Sequence, residues 1–189
     1  AQVGSATNWT ATFVLASGDT EGAVGFTIDF ADMSGNAGTQ VTSTTDSSSV
    51  TFDAPPTLTS VSIDSDSATS IGTNETAKVG DTVTLSFRAD ETIQAPTVAF
   101  TVGSTSAGGS ITVTNVSGDD WTTTFVLASG DTDGEVGFTI DFSDMSGNAG
   151  TQVTSTTDGT SVTFDETSPA LTSVSIDSDS ATSIGTDET

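Results

Sequence analysis

The sequence predicts an all-β chain of antiparallel β-sandwich modules in tandem. Three observations carry this. Apolar residues alternate with Thr and Ser at a period of two, as on half-buried strands. No segment spaces its apolar residues as a helix would. And "DMSGNAGTQVTSTTD" occurs twice letter for letter, at 32–46 and 144–158, a separation of 112 positions. A catalytic loop has no need of a copy, whereas a module strung in series does.

The repetition extends beyond that loop. Residues 9–53 align with 121–165 without gaps, and 39 of the 45 positions are identical. Residues 57–76 align with 170–189 at an offset of 113, with 18 of 20 identical. The offset changes where "TFDAPPTLTS" faces "TFDETSPALTS", and insertions gather in linkers, which marks the module boundary. Residues 1–55 are then the C-terminal half of one repeat, 56–168 a complete repeat, and 169–189 the N-terminal strand of the next. A module of about 112 residues has the size of one domain with one core, and a period of that length implies beads on a string, since solenoid units run to ~20–50 residues.

Within the complete repeat the strands are expected in the following order. The first lies at 58–63. In "TVTLSF" (82–87) Val83, Leu85 and Phe87 share one face. Strands at 97–102, 110–116 and 121–128 follow, the last opening on Trp121. "VGFTIDF" (136–142) places Val136, Phe138, Ile140 and Phe142 together, and "SVTF" (161–164) offers Val162 and Phe164. β-branched Thr suits the wet faces. Clusters such as "VSGDD" and "ASGDTDG" punctuate the strands as turns. About seven short strands of this kind make a sandwich. Trp9 and Trp121 read as packing residues rather than sugar platforms.

Composition narrows the function classes. The net charge is −24, from 26 acidic residues against Lys78 and Arg88. Phosphate binding needs clustered cations, so nucleic acid is excluded as a partner, and an anionic membrane surface would repel the chain. No apolar run approaches the ~20 residues of a membrane span and no signal-peptide pattern is present, so the chain is expected to be a soluble excerpt without membrane insertion. There is no Cys and no His, which removes disulfides, thiolate metal sites and the commonest general base. The chain is not expected to be an enzyme; a lyase or hydrolase with paired carboxylates would need a cleft of convergent acids and aromatic walls. An acidic chain with strand-like patterning fits a salt-adapted surface, a set of divalent-cation ligands, or both.

The stretches "AKVGDTVTLSFRADETI", "WTTTFVLASGDTDGEVGFTIDFSDMSGNAGTQV" and "SVTFDETSPALTSVSI" resemble the bacterial immunoglobulin-like repeats that form the extender regions of giant RTX-type surface adhesins. The D-x-x-G-N loop and the strand-Asp-x-x-Pro junction carry the resemblance. It implies immunoglobulin-like sandwiches in tandem, with calcium ions at the junctions stiffening the array. The first junction, Asp53-Ala54-Pro55-Pro56, departs from the commonest pattern in having no second carboxylate after the Asp.

Immunoglobulin-like topology would bring the loops 88–92 and 144–150 to the end facing the preceding module. There Asp90, Glu91, Asp144 and Asn148 are expected to converge with Asp53 on one hard cation, with Asp32 and Asn36 as the first-repeat counterparts of Asp144 and Asn148. Calcium suits this mixture, since it takes 6–8 oxygen ligands, and magnesium is second choice. The competing reading of Asp144 and Asn148 is a turn in which Gly147 and Gly150 take positive φ. At the other end Asp131, Asp133, Asp64 and Asp66 are expected to face the next junction near Asp165 and Glu166, as a second site or as a solvated acidic turn. Asp64 to Glu75 spans the twelve residues of an EF-hand loop, but Ala68 sits at a ligand position and Thr69 replaces the required Gly.

The expected function is mechanical reach. At ~3.3 Å per residue a nine-residue strand makes a module ~30 Å long, and many such modules would hold a distal ligand-binding domain away from a bacterial cell surface, in an extracellular setting. The alternative is an adhesive module that itself binds a glycan or surface polymer; near-identical copies fit a spacer better. The partners expected are neighbouring repeats of the same chain. Because 1–55 lack the strands that 57–102 supply, end-to-end strand complementation between molecules is a further expectation.

Overall fold

The computed structural model describes residues 8–16, 18–67, 70–71 and 73–177, and these contain strands and no helix. No helix among them is long and apolar enough to cross a membrane. In the first repeat β1 (Gly22–Ala23) pairs antiparallel with β2 (Thr51–Phe52). The rest is β3 (Leu58–Ser65), β4 (Ser70–Ile71), β5 (Asn74–Ala77), β6 (Thr82–Ala89), β7 (Thr97–Val102), β8 (Thr105–Ser106), β9 (Thr112–Ser117), β10 (Asp120–Val126), β11 (Gly134–Asp141) and β12 (Ser161–Phe164).

These ten strands form a β-sandwich. One sheet has the order β3-β6-β10-β9, the other β4-β5-β12-β11-β7-β8. All pairings are antiparallel except β5 with β12. That exception follows from the chain path: after β3 the chain leaves the first sheet, and β5 joins the edge of the second beside its last strand. All seven strands expected from the alternation are present, β7 and β12 with the expected ends and the other five with shifted ones. The shorter β4, β5 and β8 are additions that the pattern does not announce.

The alternation works as period two requires. Val83, Leu85, Phe87 and Ala89 of β6, and Val136, Phe138 and Ile140 of β11, point inward, and the Thr and Ser between them point out. The two inner faces meet in one core, and a direct contact across it is the tilted stack of Phe100 (β7) on Phe125 (β10), with ring centroids 4.4 Å apart. Trp121 is buried in this core. Thr123, also buried, holds a hydroxyl without a hydrogen-bond partner, where the first repeat has Ala11. Leaving such a group unsatisfied costs about 1–3 kcal/mol.

The first repeat carries almost the same letters but, among its described residues, no such core. Its near-copy of β11, residues 22–29, keeps the short pairing of β1 with β2 and the bridge of Ile28 with Val41, but not the six-residue pairing that β11 makes with β7. Trp9, Phe13, Phe26, Ile28 and Phe30 are exposed. Alternation marks a face that can be buried; burial itself needs the strands that cover it.

Candidate functional site

The duplicated loop builds itself. In the complete repeat Asp144 accepts the backbone N–H groups of Ser146 and Asn148 on Oδ1, each at 2.8 Å, and the Asn148 side-chain amide on Oδ2 at 2.7 Å. In the first repeat Asp32 accepts from Ser34 at 2.9 Å and from the Asn36 backbone and amide, both at 2.8 Å. Gln152 reaches back to Asp141 at 2.8 Å, as Gln40 reaches Asp29 at 2.9 Å. The loop therefore closes the same way with and without a surrounding core, so its conformation is written in its own residues. Burial alone would raise the Asp144 pKa, but the hydrogen bonds from Asn148, Gly147 and Ser146 outweigh it and hold the carboxyl below its ordinary value.

Asp144 and Asn148, expected as ligands, are engaged within their own loop. Their polar atoms are turned onto each other and onto the loop backbone, and Asn148 Nδ2 also donates to the Asp53 carbonyl at 3.4 Å. Gly147 does take positive φ, at 95°. Gly150 does not; it is needed for close approach. A Cβ there would overlap the Phe142 ring and lie 2.8 Å from the Pro56 carbonyl. The loop thus seats the buried Pro56 of the linker directly. Gly150→Ala is expected to push the linker off the loop and to lower the thermal midpoint of the complete repeat, as a clash of one methyl group in a packed site costs about 1–3 kcal/mol. Gly38→Ala, at the aligned position without Pro56, should leave that midpoint unchanged; differential scanning calorimetry checks both.

Just after the loop of residues 88–92 the chain runs beside the loop of residues 144–150: Ile93 bridges Asp144, Gln94 donates its backbone N–H to the Ser143 carbonyl at 2.9 Å and its side-chain amide to the Asp144 carbonyl at 2.8 Å, and Glu91 feels the Asp144 charge. Asp90 turns to the linker, where it accepts the Thr57 N–H at 2.8 Å and the Thr57 hydroxyl at 2.7 Å. Its net pKa is low: desolvation pushes it up, and the bonds from Thr57 more than offset that. Glu91 turns the other way and meets Asp53 of the linker and Glu21 of the first repeat. One oxygen of each lies within 4.8 Å of the others, and no other such acidic group of three occurs among the described residues. Burial first, then the charges of Asp53, Asp144, Glu21 and Asp90, raise the Glu91 pKa. The donor set is oxygen only, and it draws on both sides of the linker. Such a set fits a hard cation.

Glu21 was not among the residues expected from sequence. The signal that finds it is the alignment itself: Glu21 aligns with Asp133, which was expected. The two copies differ here for a legible reason. Asp133 accepts the Glu166 N–H at 2.8 Å and the Thr167 hydroxyl at 2.6 Å. The facing stretch of the first junction, Ala54-Pro55-Pro56, has no hydroxyl, and Glu21 is one methylene longer and reaches Asp53 and Glu91 instead.

At the far end the expected acids disperse. Asp133, Asp165 and Glu166 gather around the outgoing linker, with Thr167 N–H donating to Asp165 at 2.9 Å and Gly130 N–H to Glu166 at 3.4 Å. Asp131 caps its own turn, accepting from Ala128 at 2.9 Å and Gly108 at 3.1 Å. Asp66 accepts the Thr82 N–H at 2.6 Å. Asp64 lies beside Glu75, whose pKa is raised by burial and by Asp64 while its carboxylate accepts the Ser65 N–H at 2.7 Å. Asp64 and Glu75 stand on β3 and β5, which confirms that their twelve-residue spacing is no EF-hand loop; Ala68 and Thr69 lie outside the described residues. Compared with protein-family models and with curated protein sequences, the chain matches none.

Proposed function

We propose that the chain is a piece of a tandem extender, made of immunoglobulin-like repeats whose junctions are stiffened by calcium, that projects a distal ligand-binding domain from a bacterial cell surface. The observation that carries this reading is the meeting of Glu21, Asp53 and Glu91, contributed by two successive repeats and the linker between them. Three carboxylates held that close repel one another, and a divalent cation would turn repulsion into a lock on the inter-repeat angle. Glu21, Asp53 and Glu91 would hold the ion; Asp90 and the loop 144–150 position the linker that presents Asp53.

Two further observations support it. The sheet orders β3-β6-β10-β9 and β12-β11-β7 match the A-B-E-D and G-F-C orders of immunoglobulin-like sandwiches. The resemblance to extender repeats of RTX-type adhesins, in the loop and junction motifs, gives the setting: extracellular, where such modules bind calcium at ~10⁻⁴–10⁻³ M. Small-angle X-ray scattering on at least four tandem repeats, titrated with calcium and then with chelator, tests the reading. A maximum dimension that rises with calcium and falls back on chelation is expected. An unchanged profile, with the repeats still folded, would sink the calcium joint.

A further inference from the structure

The two sheets of the complete repeat have four edges, and three of them are closed to further pairing. The edge strands β4 and β8 are only two residues long. The free side of β3 is taken by the segment before β12. There Thr157 donates its N–H to the Val61 carbonyl at 2.8 Å, and the hydroxyls of Thr157 and Thr160 accept the N–H groups of Val61 and Ile63, both at 2.9 Å. The fourth edge is β9, six residues long, which among the described residues pairs with β10 alone. A bulge breaks its register between Asp120 and Trp121, at the hairpin end; from Thr112 to Asn115 the register with Thr124 to Trp121 is unbroken. Every second N–H and C=O of that stretch points away from the sheet, with no strand to meet it.

The composition of this edge is unlike that of the rest of the chain. Residues 92–118 hold no charged side chain, the longest such run in a sequence with 26 acidic residues. Edge strands are ordinarily guarded by Lys, by Pro or by an inward-pointing charge, and "ITVTNVS" at 111–117 has none of these. Ile111 and Val116 are exposed along it. The acids nearest in sequence, Asp119 and Asp120, lie at the hairpin end, where Asp120 is paired with Arg88 at 3.0 Å. Like charge keeps copies of a −24 chain apart over most of its surface. At β9 that barrier is missing, and a strand edge stands open.

We infer that β9 pairs antiparallel with β9 of a second copy, across a two-fold axis perpendicular to the sheet, and joins two four-stranded sheets into one of eight strands. Such an axis sets one residue against its own copy. With Thr114 on the axis, Thr112 of each chain stands opposite Val116 of the other, β-branched pairs that suit a ladder. The antiparallel sense carries Asp119 and Asp120 of the two copies to opposite ends of the joined strands, so these acids do not face each other. The contact is isologous and closes at two copies. A pairing this short is weak alone. On the extender reading, on which this consequence rests, it recurs once per repeat, and arrays lying side by side add the contacts up.

Sedimentation equilibrium of the 189-residue chain tests the pairing, in chelator so that junction cations play no part, and at moderate salt to screen the acidic surface. A concentration-dependent equilibrium between monomer and dimer is expected. As the dimer forms, the amides of 112–116 that do not bond β10 should gain protection from hydrogen exchange. Thr114→Asp and Thr114→Lys each oppose a charge to its own copy on the axis, and each should weaken dimerisation about tenfold. Mixed, the two variants set Asp against Lys, and a one-to-one dimer should return. The Thr114 side chain is exposed, so neither change should move the thermal midpoint of the complete repeat. A wild-type chain that stays monomeric at every concentration overturns the inference. So does association that neither substitution weakens, and so does a mixture that associates no better than its components. Calcium is absent throughout, so these results stand apart from the scattering titration: the joint can fail with the pairing intact, and the reverse.

Discussion

Phe125→Ala is expected to destabilise the complete repeat by about 3–5 kcal/mol, while Phe13→Ala, the same change at the aligned position of the first repeat, should leave its unfolding free energy unchanged. Phe125 is fully buried, stacks on Phe100 at 4.4 Å and belongs to a core fed by both sheets. Truncating it removes the transfer free energy of a benzyl group and opens a cavity that rigid neighbours cannot fill. Phe13 lies in water. Urea unfolding followed by tryptophan fluorescence reads both variants, since Trp121 is buried and changes environment, whereas Trp9 is exposed before and after. Equal costs for the two substitutions would mean that the first repeat has a core of its own.

That pair also measures how much of the fold is legible in the letters. Val83, Leu85 and Phe87 declare a buried face by spacing alone, and so do Val136, Phe138 and Ile140, because a sheet exposes every second residue to one side. The strand β5 does not declare itself. In Asn74-Glu75-Thr76-Ala77 only Ala77 is apolar and buried, and what makes the segment a strand is the parallel edge of β12 that β3 delivers it to. Such placement is tertiary and leaves no period in the sequence. The first repeat shows the converse: "VGFTIDF" at 24–30 has the full strand pattern, yet without a partner like β7 it forms one bridge, Ile28 with Val41, where its near-copy makes β11. Local pattern proposes a strand, and pairing decides it.

The candidate site divides along the same line. The loop 144–150 is local, so its turn chemistry could be read from Asp, Gly and Asn; which way the Asp144 carboxylate faces depends on how many N–H groups its own loop turns toward it, and there they take both oxygens. Asp90 and Glu91 are neighbours in sequence and part company in space, one to Thr57, the other to Asp53 and Glu21. They lie in a bend just past the end of β6, and only the path of the linker shows which one meets the preceding repeat.

Glu91→Gln should change sign with calcium, and this is the sharpest test of the joint. Burial and the charges of Asp53, Asp144, Glu21 and Asp90 raise the Glu91 pKa, so the folded joint favours its neutral form. A group shifted in this direction favours folding fully below its unfolded pKa, and that contribution is lost as pH rises through the folded pKa. In chelator at neutral pH, Glu91→Gln is therefore expected to raise the thermal midpoint by removing an unfavourable charge, and to lose the advantage at acid pH, where the wild-type side chain is itself protonated. With calcium the order reverses. If the proposed joint holds, the wild type gains the ion and the variant, one carboxylate short, is expected to bind it about tenfold or more weakly, since charge count among the ligands sets affinity. Glu21→Gln should follow the same course in calorimetric titration, and Asp131→Asn, whose carboxylate caps its own turn, should not alter calcium binding. If all three variants bind calcium as the wild type does, Glu21, Asp53 and Glu91 are a solvated acidic patch and the joint is held by Pro56, Thr57 and the loop alone. If Glu91→Gln stabilises in chelator and weakens calcium binding, the repulsion that costs the empty joint its rigidity is the same interaction that selects the ion.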